Sequence, residues 1–317
     1  MRALVFTGPG EVELQDVDRP RPDAGDVLLD VRAAGICGSE LHGFRQPGFR
    51  KPPLVMGHEF AGTTPEGRRV VVNPLVSCGQ CDLCRSGRPQ LCRNRELLGV
   101  HRPGGFAESV VVPATSLHEL PPEMSWQTAA MVEPLANAVH AWHQLDPRGG
   151  VHATAPGRVA IVGAGTIGLV CLLVARRHGL ADVTVVDRSP QRLELARRLG
   201  ATSTEPELAG EFDAVIDAVG SPVTRRAGID RVRPGGTCVW LGLADPDPGF
   251  DGNALVRQEK RVVGSFAYSP DDFATALALA AELDLDWTTP VGLEQSREVF
   301  LALAGGAMEP VKAVIVQ

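Results

Sequence analysis

Hydrophobic positions in the first third of the chain fall in short runs. Residues 3–6, 27–31, 69–73 and 109–112 are rich in β-branched side chains and are bounded by Gly and Pro. Runs of this length between turn formers predict strands, and their spacing predicts a barrel or an irregular antiparallel sheet. From about Pro134 the pattern changes. Apolar strands at 159–162 and 183–186 alternate with stretches of helical period at 166–178 and 190–199, which predicts βαβ units and a parallel sheet. The alternation fades after Gly264. Helical stretches at 271–283 and 296–304 and a last strand at 312–316 are read as returning to the first region. No internal repeat, low-complexity tract or long linker interrupts this order.

Composition adds limits. The chain has 317 residues, 44% hydrophobic and 22% charged, enough for two cores. A net charge of -7 without a concentrated Lys/Arg run argues against a nucleic-acid groove or an anionic membrane as partner, and favours a small diffusible substrate. No apolar stretch reaches the roughly 20 residues that span a bilayer, and residues 1–6 run into Gly8-Pro9-Gly10 rather than a signal-peptide core. A cytoplasmic protein is expected.

Of the seven cysteines, Cys78, Cys81, Cys84 and Cys92 crowd into one segment. One loop carrying four thiols can wrap a tetrahedral Zn²⁺, and four closed protein ligands make a structural site that performs no chemistry. Cys171, in a helical stretch, and Cys238, in an apolar strand, read as small buried hydrophobes. His140 and His143 share a helix face with no third ligand evident nearby.

Gly163, Gly165 and Gly168 follow an apolar strand and open a helix through Thr166 and Ile167. Such a loop lets a pyrophosphate approach the backbone at a helix N-terminus. Asp187 ends the next strand, nineteen residues after Gly168, where a carboxylate can accept hydrogen bonds from ribose hydroxyls. It favours NAD over NADP, although Arg188 and Arg192 stand close by in sequence.

Three further segments, Cys37-Gly38-Ser39, Gly57-His58-Glu59 and Val132-Glu133-Pro134, each offer a zinc ligand outside the cysteine cluster. Together with Gly104-Gly105-Phe106-Ala107-Glu108, the four-cysteine lobe, the glycine loop and the closing strand, they give the chain a likeness that runs nearly end to end. It resembles the zinc-dependent medium-chain dehydrogenases, and Glu133, where ethanol-type members place a cysteine, points to the sorbitol, galactitol-phosphate and threonine dehydrogenase-like branch.

The resemblance implies an α/β chain: a GroES-like β-barrel catalytic domain at 1–135 and 266–317, with a structural zinc lobe at about 77–95, and a Rossmann NAD-binding domain with a doubly wound parallel sheet at 136–265. It implies two zinc ions per chain and an active site in the cleft between the domains. Cys37, His58 and a carboxylate would hold the catalytic zinc, with Glu59 and Glu133 sharing or exchanging the remaining positions. Zinc would make a secondary alcohol acidic while NAD takes the hydride, giving a ketone. The proton would leave through the Ser39 hydroxyl, the nicotinamide ribose and His42; the plainer alternative is that Ser39 caps the following helical turn and His42 is a surface imidazole. Homodimers or homotetramers are implied as well.

Three departures from the family pattern stand out. The connection through residues 63–68 is shorter than in relatives and the stretch 201–212 is trimmed, both read as loop removal, the first beside the catalytic ligands. The third concerns substrate: no basic residue stands near Pro290-Val291-Gly292. Gly43, followed by Phe44, also replaces the aromatic that polyol members often carry after the relay histidine. These last two features weaken sorbitol itself and leave a polyol, cyclitol or sugar-alcohol dehydrogenase as the expectation. An amino-alcohol dehydrogenase acting on a threonine-like or aminocyclitol substrate, or a zinc- and NAD(H)-binding protein without catalysis, are the alternatives.

Overall fold

The computed structural model describes residues 1–145, 157–245, 251–308 and 310–317. It divides into two compact units, Met1–Glu133 with Ser269–Gln317, and Pro134–Tyr268.

The first unit is built on the strand Asp26–Gly35. It pairs antiparallel with Glu59–Thr63, with Ser109–Pro113 and with Ala313–Val316. The sheet continues outward through Arg69–Val72 and Leu117–Glu119 on one side and Thr289–Gly292 on the other. A second sheet joins Glu11–Asp16, Arg2–Gly8 and Leu54–Val55. Leu4, Phe6, Leu29, Phe60, Val70, Val72, Phe106, Phe300 and Ile315 close the core between them. Burying each such side chain stabilises the fold by about 1.5–3 kcal/mol, which is why the β-branched runs of the sequence settle here rather than in loops. The helix expected at 271–283 is Pro270–Ala280. It starts on a Ser269 cap that accepts from the Asp272 N–H, and it ends at Ala280, with the Ala281, Glu282 and Leu283 N–H groups folding back onto the Ala278 and Leu279 carbonyls as a closing turn.

The second unit is a six-stranded parallel sheet. Its spatial order is Ser203–Glu205, Asp182–Val186, Arg158–Val162, Phe212–Asp217, Val232–Trp240, Arg261–Gly264. The order reverses between Arg158–Val162 and Phe212–Asp217, so a crevice opens at the carboxyl ends of those strands, the usual ligand position in such sheets. Helix Thr166–Arg177 packs on the strands Arg158–Val162 and Asp182–Val186, and helix Pro190–Arg198 on Asp182–Val186 and Ser203–Glu205. Eight consecutive residues of the former, Gly168–Ala175, are buried, which explains its all-round apolar sequence. This is the doubly wound α/β arrangement read from the sequence.

Candidate metal centre and dinucleotide loop

Cys37 is the cap of a short helix, Gly38–Gly43. The strand Glu59–Thr63 begins immediately after His58 and pairs Glu59 with Gly35. These two elements bring Cys37, His58 and Glu59 together: their ligand atoms lie within 4.8 Å of one another, with His58 and Glu59 buried. One thiol, one imidazole and one carboxylate at that separation suit a zinc ion with three protein ligands and an open position. Glu133, also buried, sits in the first turn of the helix Val132–Leu145 and is outside that group.

The imidazole is oriented from behind by Glu40, a residue the sequence reading missed. Its side chain is fully buried. Oε1 lies 3.1 Å from His58 Nδ1 and accepts the Gly57 N–H at 2.8 Å, while Oε2 accepts the Cys37 N–H at 3.0 Å. One carboxylate therefore ties both neighbouring ligand segments and leaves His58 Nε2 for a metal, the outer arrangement that metal-binding histidines require. Burial works against its charge, yet His58 and then the buried Arg50 hold its pKa below the usual carboxylate value. Burial also opposes charge on His58, and Glu40 and Cys37 outweigh it, so the His58 pKa stands well above 6.5. The only sequence signal for Glu40 was its place three residues after Cys37, the spacing of a capping box.

Ser39 does not cap the helix, since Cys37 holds that position. Its Oγ donates to Cys37 Sγ at 3.3 Å, so the hydroxyl lies at the metal group. His42 is exposed in the last turn of the same helix. Lys312, also missed, is buried against Glu59: its Nζ donates to Glu59 Oε2 and to the Ile36 carbonyl at 3.1 Å. A lysine just before a terminal strand carries no sequence signal for this.

The four remaining metal-spaced cysteines converge in the segment around the helix Asp82–Arg85, none of whose residues is buried. The Sγ separations are 3.5 Å for Cys81–Cys84 and Cys78–Cys92, and 3.9 Å for Cys78–Cys84 and Cys81–Cys92. A tetrahedron with metal–sulfur bonds of about 2.3 Å has edges of about 3.8 Å. The sulfurs therefore fit one zinc ion without rearrangement. Backbone N–H groups of Gln80 and Cys81 bring the Cys78 thiol down to about 6, so part of the charge the ion needs is prepared by the loop itself.

Cys171 and Cys238 are buried in a helix and a strand, and burial pushes both thiols up to about 12. Both are inert packing residues. His140 and His143 belong to no metal-sized cluster among the described residues.

In the second unit Gly163 has φ +98°, a turn that a side chain would strain, and the helix Thr166–Arg177 starts from Gly165. Gly168, Thr166 and Ile167 form its first turn, whose free N–H groups can face a phosphate. Asp187 Oδ2 accepts the Ala164 N–H at 2.7 Å and Oδ1 accepts the Ser189 N–H at 2.8 Å, so the acidic residue braces the loop. Arg188 is exposed and Arg192 half-buried on the segment that follows.

Residues 23–122 match the family described as "Alcohol dehydrogenase GroES-like domain", and residues 166–282 match "Zinc-binding dehydrogenase". L-galactonate-5-dehydrogenase of Escherichia coli (strain K12) is 34% identical over 310 residues, covering 89% of this chain and 88% of the relative. L-threonine 3-dehydrogenase of Rhizobium johnstonii is 33% identical over 341 aligned positions, covering 96% of each. Among solved structures, acetophenone reductase from Geotrichum candidum in complex with NAD superimposes with a TM-score of 0.90 at 27% identity, covering 100% of this chain and 97% of that one.

Proposed function

Because this chain belongs to the zinc-dependent medium-chain dehydrogenases, we propose that it oxidises a polyol, cyclitol or sugar-alcohol type substrate at a secondary hydroxyl, handing the hydride to NAD and releasing a ketone. When bound, zinc supplies the Lewis acidity that lets an alcohol ionise near neutral pH, and NAD supplies the hydride acceptor. Cys37, His58 and Glu59 hold the catalytic ion, with Glu133 as the carboxylate that exchanges with Glu59. Cys78, Cys81, Cys84 and Cys92 hold the second, structural ion. The observation that carries this assignment is the meeting of a half-buried thiol with a buried imidazole and a buried carboxylate in one group, with a hydroxyl, Ser39 Oγ, 3.3 Å from the thiol.

The remaining work falls to the chain. Ser39 Oγ accepts the substrate's hydroxyl proton as it passes its own proton toward exposed His42, which hands it on to water. Gly163, Gly165, Thr166, Ile167 and Gly168 seat the pyrophosphate. Asp187 accepts from the ribose hydroxyls, which sets NAD above NADP, and Arg188 and Arg192 flank it. We assign the catalytic domain to 1–135 with 266–317 and the NAD-binding domain to 136–265.

Among the described residues no helix is long and apolar enough to cross a membrane. A cytoplasmic homodimer or homotetramer is the form we propose, because reduced clustered thiols need a reducing compartment and the family commonly assembles so. An amino-alcohol substrate is the second reading, favoured by the likeness to L-threonine 3-dehydrogenase.

The test is NAD reduction over sugar alcohols, cyclitols, vicinal diols and hydroxy amino acids, run beside metal analysis. Two zinc ions per chain and turnover of a diol support the first reading. Turnover confined to hydroxy amino acids supports the second, and a Cys37→Ala variant at undiminished rate overturns the site.

A further inference from the structure

The catalytic role just proposed leaves Lys312 unused, although its side chain is 1% exposed and it pairs with a Glu59 side chain equally enclosed. Three adjacent strands bring the two together. Gly35 of Asp26–Gly35 lies opposite Val314 on one side and Glu59 on the other. Lys312, two residues before Val314, and Glu59 meet over Gly35. A Cβ there would overlap the Glu59 carboxylate and come within 2.8 Å of Lys312 Cε. The strand is therefore bare where the pair needs room. Nζ is also held by the Ile36 carbonyl, in the residue next to Cys37.

Burying a flexible cation loses side-chain entropy and hydration, and an apolar side chain of similar volume would fill the space at least as well. Stability alone does not account for this lysine. We propose that Lys312 is a positioning residue of the metal centre: by occupying Glu59 Oε2 it restricts Glu59 to one-oxygen contact with the ion and offsets that carboxylate's charge. The group Cys37, His58 and Glu59 then presents a net charge of one thiolate, because Glu59 and Lys312 balance. The ion keeps more of its positive charge for a substrate, and the carboxylate adds no fifth contact beside the open position. The inference rests on the reading of Cys37, His58 and Glu59 as ligands.

Cobalt(II) reports coordination directly, since four-coordinate cobalt absorbs visible light several times more strongly than five-coordinate cobalt. The protein is prepared with zinc in the four-cysteine lobe and cobalt in the other site, and each spectrum is taken against Cys37→Ala. In Lys312→Met, Glu59 turns both oxygens to the ion and the visible bands fall to about half; Lys312→Arg stays near the parent protein. In a Glu59→Gln background, adding Lys312→Met changes nothing. The proposal is overturned by an unchanged Lys312→Met spectrum, or by a Lys312→Met effect that persists in the Glu59→Gln background. If Lys312→Met alone fails to fold, Lys312→Gln takes its place: without the cation the visible bands fall likewise, and an unchanged Lys312→Gln spectrum overturns the proposal. Absence of any Cys37-dependent cobalt spectrum in the parent protein overturns the ligand reading itself.

Discussion

His58 Nδ1 lies 3.1 Å from Glu40 Oε1, and the same carboxylate holds the backbone N–H groups of Gly57 and Cys37. The two ligand segments, one a helix cap and the other a strand start, are thus aligned by a single buried charge. Their geometry depends on a side chain outside the ligand group.

Glu40→Gln keeps the shape but turns an amide N–H₂ toward one of the groups the carboxylate accepts from. The catalytic-site metal is expected to bind about 10–100-fold more weakly, read by competition with a chromophoric chelator. Affinity equal to the parent protein would remove Glu40 from any orienting role.

Metal uptake should depend on pH. In the metal-free protein burial opposes charge on His58, and Glu40 and Cys37 outweigh it, so its pKa is raised well above 6.5 and the protonated ring is favoured. An ion needs the neutral nitrogen and must displace that proton. Apparent affinity is expected to rise about tenfold per pH unit below the raised value and level off above it. Calorimetry in buffers of different ionisation enthalpy measures the proton released; no release between pH 6 and 7 would contradict the expectation.

In the four-cysteine lobe the helix Asp82–Arg85 has no buried residue, so the cysteine sulfurs are its main tie to the rest of the loop. Cys84→Ser is expected to lower the zinc content by one ion per chain and to open Arg85, Arg88, Arg93 and Arg95 to trypsin. Mass spectrometry of a timed digest checks this. A lobe that stays resistant after losing its ion would mean that packing, not metal, keeps it folded.

Asp187→Ala removes the brace on the Ala164 N–H and the carboxylate we propose as acceptor for the ribose. Losing charged hydrogen bonds of about 1.5–3 kcal/mol predicts NAD binding weaker by about 10–150-fold. NADP should lose much less, because Arg188 and Arg192 remain and the repelling charge is gone. Fluorescence titration with NADH and NADPH reads both; equal losses for the two would refute the discriminating role.

What could be read from the sequence was what is local. Cys78, Cys81, Cys84 and Cys92 fall within one loop, and Gly163 to Asp187 within one βαβ unit, so spacing alone carried their chemistry. The strands of the first unit were legible because alternation and β-branching act over a few residues. Glu40 was hidden because its partner His58 is eighteen residues away and an acid in a first helical turn has an ordinary explanation. Arg50, in Phe49-Arg50-Lys51-Pro52, has the sequence of an exposed turn, yet it is 3% exposed and donates from Nε to the Gly99 carbonyl. Between Glu59 and Glu133 the sequence offered no choice. The fold brings Glu59 within 4.8 Å of the Cys37 and His58 ligand atoms and leaves Glu133 beyond that spacing, a matter of tertiary pairing that no short window contains.

The Lys312–Glu59 pair spans 253 positions. At about 5–20 residues made per second, roughly 13–50 s separate the birth of the two partners on the ribosome. Throughout that interval the emerging polypeptide displays a thiol, an imidazole and an uncompensated acid, a set that can scavenge cations before any specificity has been installed. Any metal selectivity that depends on Lys312 can therefore act only after translation has passed the strand Ala313–Val316, when the ammonium group is threaded across the bare glycine.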